Sequence, residues 1–154
     1  MDGIALRILR EGLKQDAAVM LASADRASLR LVEGHPGSVE AAGFELQRVY
    51  NVLEKAFERV CEAFENHFEK KGDYHEKLIE RLSLDLPEIR PAFLPPTARA
   101  SVRELKAFRH LFRHAYDLEL RRERVEPLAA SAADIASEFP RWIEAFVTRV
   151  EAGL

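Results

Sequence analysis

Six polar residues crowd into one short stretch late in the chain: Arg109, His110, Arg113, His114, Tyr116 and Asp117. Placed on a helix at about 100° per residue with Arg109 at zero, they fall in one arc from roughly −20° to +140°. Leu105, Phe108, Leu111, Phe112, Ala115 and Leu118 fall in the opposite arc, which is expected to face a core. An arginine presents a planar fork that matches phosphate oxygens. Histidine is the side chain suited to proton transfer near neutrality. Together they could bind a phosphodiester and act on it, although the same arc also reads as a plain solvated helix face. Arg109 and His114 stand about 140° apart around the axis, so one straight helix does not aim both at one small atom. A two-fold dimer would bring two copies of the arc across one cleft, so a catalytic role implies a dimeric working unit.

Other readings of the chemistry-bearing residues are weaker. His110 and His114 have the i, i+4 spacing of zinc ligands, but no glutamate lies between them as in H-E-x-x-H and no third ligand is evident. No metal and no cofactor are expected. His35, His67 and His75 read as turn or surface residues. Cys61, the single cysteine, excludes an internal disulfide and a multi-cysteine zinc site. It is expected to lie buried on the second helix, with no base or helix N-terminus to activate it.

The elements that must position these residues are helical nearly throughout. Ile4, Ile8, Leu9, Leu13, Ala17, Met20, Leu21 and Ala24 form one stripe over residues 4–32. Gly34-His35-Pro36-Gly37 stops that helix, and Ser38 is the expected N-cap of the next. The second helix, about 39–70, is expected to be the longest, with Leu46, Val49, Leu53 and Val60 beside Tyr50, Phe57, Phe64 and Phe68. Residues 73–84 predict a short helix with Leu78, Ile79 and Leu82 inward. The proline-rich stretch 84–96 predicts a structured connection packed on the bundle. A further helix is expected to start at Thr97 or Ser101, where Ser101 to Glu104 fits a capping box, and to run to about Leu120. The last helix is expected from Glu126 to Glu151, with Pro127 in its first turn and a kink at Pro140. The fold class is all-α: one domain over 1–154, an antiparallel bundle of four main helices plus a short one.

Composition bounds the function. The 154 residues include 23 Lys/Arg and 26 Asp/Glu, a net charge of −3, which argues against a protein that coats nucleic acid. Between Arg99 and Arg124, however, there are eight Lys/Arg and four Asp/Glu, a local +4 that leaves −7 for the remainder. A small phosphate-binding cleft needs only that local field. The longest apolar run, Ala17 to Ala22, is far below the roughly 20 residues that span a bilayer. No membrane association, no signal peptide and a cytoplasmic location are expected.

The pattern R-x4-H-x-Y formed by Arg109, His114 and Tyr116, late in a small helical chain, resembles the HEPN ribonucleases and most closely the HepT toxins. The likeness extends to Gly72-Asp73-Tyr74-His75-Glu76-Lys77-Leu78 and the proline-rich linker, in that order, and covers roughly residues 40–150. The resemblance implies a metal-independent endoribonuclease, the toxin of a type VII toxin–antitoxin pair. Arg109 would hold the scissile phosphate and His114 would act in proton transfer, leaving a 2′,3′-cyclic phosphate. His110 and Arg113 would support them. The implied partners are an RNA substrate, a second copy of the chain, and a minimal nucleotidyltransferase (MNT) antitoxin that transfers AMP onto Tyr116. By the same analogy Asp73 and Tyr74 would border the cleft, though capping and packing explain them as well. The alternative is a non-catalytic helical partner that serves only as the nucleotidyltransferase's substrate.

Overall fold

The computed structural model describes residues 1–65, 69–114 and 119–153. Five α-helices follow in order: α1 (Gly3–Glu33), α2 (Ser38–Glu65), α3 (Tyr74–Leu82), α4 (Arg99–His114) and α5 (Arg122–Glu151). Among the described residues the only β-like feature is an isolated bridge between Leu86 and Arg90, so the chain is an all-α bundle. No described helix is long and apolar enough to cross a membrane.

Helix α1 begins where the Asp2 carboxylate accepts the Ala5 N–H at 2.7 Å, and it ends at Gly34, whose φ of 66° needs no Cβ. Its stripe of Leu6, Leu9, Leu13, Met20, Ala24 and Ala27 is buried. Ile4, Ile8 and Leu21, assigned to that stripe by spacing, face outward instead. Two buried carboxylates register α1 on α2: Asp16 receives Arg59 at 3.0 Å and Glu45 receives Arg26 at 3.1 Å. A charge removed from water must be paired, so these contacts resist sliding of one helix along the other.

Helix α2 lies against each of the other four helices. Leu46, Val49, Tyr50, Leu53, Phe57, Val60 and Cys61 are all buried along it, and Phe64 packs on the same core. Its described span of 28 residues is shorter than the 31 of α1, and the expected continuation past Glu65, with His67 and Phe68, falls outside the described residues. Ser38 does not cap forward. Its hydroxyl accepts the His35 N–H at 3.0 Å and so closes the preceding turn.

The proline-rich connection packs inward as expected. Phe93 and Leu94 donate their N–H groups to the Leu82 carbonyl, and the Phe93 ring meets Phe57, Phe139, Trp142 and Phe146 edge-on. Arg90 holds it. Its fully buried guanidinium pairs with Glu65 at 3.1 Å and donates to the carbonyls of Arg81, Leu84 and Pro91.

Helix α4 starts at Arg99, between the two expected starts Thr97 and Ser101, and α5 starts earlier than the spacing predicts. A 3-10 turn at Pro96–Ala98 leads straight into α4, so Ser101 sits inside the helix and forms no capping box. Glu119 and Leu120 are not helical, so α4 ends short of the expected boundary. Helix α5 starts at Arg122, with Val125 already buried, and passes through both Pro127 and Pro140. Pro127 therefore lies beyond the first turn, and each proline deletes one intrahelical N–H donor.

Removing the Arg90 side chain leaves Glu65 buried with a weaker counter-charge and strips three carbonyls of a donor. Arg90→Ala should lower the unfolding free energy by about 3 kcal/mol in chemical denaturation. A loss below about 1 kcal/mol would show that the pair behaves like an exposed one.

Candidate phosphodiester-binding site

Helix α4 supplies the candidate face, and its apolar side fixes the orientation. Val102, Leu105 and Phe108 are buried, and Phe112 stacks on Phe108 with ring centroids 5.7 Å apart. Gly43 on α2 lets this end approach closely: a Cβ there would stand 3.1 Å from the Phe112 ring and 3.0 Å from Leu120. Leu111 departs from the expected core arc and is 40% exposed.

With that side buried, Arg109 is half-buried while His110, Arg113 and His114 are exposed. Arg109 Nε donates to Asn51 Oδ1 on α2. The partner is an amide, so the guanidinium is oriented without being neutralised. Among the described residues neither Arg109 nor Arg113 forms an ion pair. The rings of His110 and His114 lie 4.6 Å apart, one helical turn from each other. The basic residues further back on α4 are engaged: Glu76 of α3 receives Arg103 at 2.8 Å and Lys106 at 2.6 Å, and Arg99 donates to the Ser83 carbonyl. The local excess of positive charge is thus left uncompensated chiefly toward the C-terminal half of α4, where the helix dipole also favours cations.

A polar cluster that spacing did not reveal adjoins Arg109. The His75 imidazole, at the surface with its side chain 41% exposed, pairs through Nδ1 with Glu54 Oε2. The Tyr50 phenol bonds to Glu54 as well. Its pKa is pushed well above the ordinary value, first by burial and then by the Glu54 carboxylate, while the Arg109 charge opposes the rise. Asn51 and Glu54 have no sequence signal, because the Asn51–Arg109 and Glu54–His75 bonds join different helices and leave no periodic pattern within one helix. Asp73 is exposed and pairs with Lys77 at 3.4 Å without capping α3 through its side chain, whereas Tyr74 is buried. Tyr116 and Asp117 fall outside the described residues, as do Ala115 and Leu118.

The remaining candidates are structural or inert. Cys61 is buried, and burial together with the Glu65 carboxylate pushes its thiol up to about 12, far from a nucleophile's range. Among the described residues no group of three or more His, Cys, Asp or Glu could hold a metal ion. His35 closes the α1–α2 turn beside Glu33.

The model of the family described as HepT-like protein matches residues 41–150, from α2 to the end of α5. Neither a curated protein nor a solved structure gives a match.

Glu76 joins α3 to α4, and its carboxyl is held below the ordinary 4.5, first by the hydrogen bond from Lys106 and then by that from Arg103. A depressed carboxyl contributes stability that is complete above its ordinary value and lost as pH falls through the lowered one. The stability difference between wild type and Glu76→Gln should therefore shrink as pH is lowered from about 6 to 3 in thermal melts. A difference that stays constant over that range would contradict the pairing.

Proposed function

The chain belongs to the HepT-like family, and from that premise we propose that it is a HEPN-type endoribonuclease toxin working through Arg109 and His114. The single observation that carries the reading is the state of Arg109: a half-buried guanidinium held in place by the neutral Asn51, on a face shared with His110, Arg113 and His114. A guanidinium already paired with a carboxylate would have little charge left for a phosphate. One held by an amide keeps its charge and loses its freedom, which is the requirement for stabilising a developing phosphorane.

In the proposed reaction Arg109 holds the non-bridging oxygens of the scissile phosphate. His114 takes part in proton transfer as the RNA 2′-hydroxyl attacks the adjacent phosphorus, and the product carries a 2′,3′-cyclic phosphate. His110 lies beside His114 with its ring tilted by 47° to it, and Arg113 extends the positive face along the substrate. No metal is required. Arg109 and His114 diverge around the helix, so the proposed unit is a two-fold dimer in which the two faces share one cleft.

Regulation follows from the same face. The proposed partner is an MNT-type nucleotidyltransferase that moves AMP from ATP to Tyr116. On a continued helix Tyr116 would lie about 20° from Arg109, so the adduct would put bulk and negative charge beside the phosphate-binding guanidinium.

Cleavage of an oligoribonucleotide in EDTA tests the catalytic reading. Arg109→Ala and His114→Ala should each slow it by about 10²-fold or more. An inactive unmodified wild type, or variants that cleave equally well, would leave the non-catalytic partner of a nucleotidyltransferase as the better reading. Intact mass after incubation with ATP and the partner enzyme should rise by whole AMP units and stay unchanged in Tyr116→Phe. A rise that survives the substitution would place the modification on another residue.

A further inference from the structure

Transesterification at phosphorus moves two protons: one leaves the 2′-hydroxyl and one reaches the departing 5′-oxygen. His114 meets one of these needs, and the other histidine of α4, His110, sits against His114 itself with ring centroids 4.6 Å apart. Helix α3 supplies a candidate. His75 is half-exposed, and its Nδ1 is bound to the Glu54 carboxylate, whose side chain is 12% exposed. An ionised carboxylate only accepts, so Nδ1 carries a hydrogen. Nε2 has no partner among the described residues.

Glu54 is also the hydrogen-bond partner of Tyr50, and the Tyr50 phenol feels the Arg109 charge. The Tyr50 and His75 rings meet edge-on at 6.5 Å. Tyr50 directly precedes Asn51, which holds Arg109. A carboxylate-held imidazole and an amide-held guanidinium are therefore built on neighbouring residues of α2, at the junction of α2, α3 and α4. Among the described residues, the other titratable and charged groups of this junction are Tyr74 and Glu76 on α3, Glu58 and Cys61 on α2, Arg103 and Lys106 on α4, and Lys70 ahead of α3.

We propose that His75 is a second catalytic histidine, the general acid that protonates the 5′-oxygen leaving group, with Glu54 as its positioning residue. This rests on the ribonuclease reading above. In the step, His114 accepts the 2′-hydroxyl proton, the 2′-oxygen forms its bond to phosphorus, and the phosphorus–5′-oxygen bond breaks. The 5′-oxygen takes the proton from His75 Nε2. His75 ends neutral and His114 ends protonated, so the protons balance, and exchange with water restores both. The Glu54 carboxylate orients the ring and pairs with its charged form before transfer, the role a carboxylate plays behind a catalytic histidine elsewhere.

The test uses the full chain and an oligoribonucleotide whose cleaved linkage has been mapped. The same oligomer is then made with sulfur in place of the bridging 5′-oxygen at that linkage. A thiolate leaves without needing a proton. His75→Ala should cleave the natural linkage about 10²-fold more slowly than wild type yet cleave the 5′-thio linkage at close to the wild-type rate. Glu54→Gln should show a smaller loss with the same rescue, and His114→Ala should stay slow on both linkages. Helical circular dichroism checks folding, and His75→Gln replaces the alanine variant if helicity falls. Normal cleavage of the natural linkage by His75→Ala overturns the proposal while leaving the ribonuclease reading intact. Equal slowing on both linkages overturns the acid assignment. A wild type that cleaves neither removes both.

Discussion

Helix α2 is the constraint on which the rest depends, because it is in contact with α1, α3, α4 and α5 together. A helix so enclosed has little freedom to rotate: its apolar residues are spent on several neighbours, and turning it would drive Leu46, Leu53 or Phe57 out of the core. What remains is a narrow polar strip with Asn51 and Glu54 one turn apart. Helices α3 and α4 both dock beside it. The position of Arg109 relative to His75 is therefore set by helix packing rather than by loops, the condition under which a site is held to the tolerance chemistry demands.

Electrostatics then divides α4 into two parts with different work. Toward its N-terminal half, Arg103 and Lys106 are bound by Glu76, and Arg99 caps a carbonyl of the α3 end. These charges fasten α4 to α3. From Arg109 onward the basic residues meet an amide, a second histidine or solvent. A chain with a net charge of −3 can still present a local positive field, because its acidic excess lies elsewhere and its basic segment is only half consumed by structure.

The helices were legible because amphipathic periodicity records burial directly. The stripe of α2, the inward leucines of α3 and the packed proline-rich connection all follow from where apolar residues recur. Boundaries were less legible. Ser101 and Glu104 have capping-box spacing, but Pro96-Thr97-Ala98 had already turned the chain into a helix, so no free end remained to cap. Glu126-Pro127 resembled a helix start, yet burial of Val125 extends α5 back to Arg122 at the cost of one backbone hydrogen bond at the proline. Arg109, His110, Arg113 and His114 were readable as one face because they share a helix. Asn51, Glu54, His75 and Arg90 were not, since each acts across elements and a periodic pattern carries no trace of a contact between two helices.

The central claim is that this bundle cleaves RNA by attack of the 2′-hydroxyl, with Arg109 steadying the phosphate and no metal taking part. The chemistry of the new ends tests it most directly. Mass spectrometry of oligoribonucleotide fragments made in EDTA should show a 2′,3′-cyclic phosphate on the upstream piece and a 5′-hydroxyl on the downstream one. Fragments bearing a 3′-hydroxyl and a 5′-phosphate would require attack by water on the opposite side of the phosphorus, and would contradict the account.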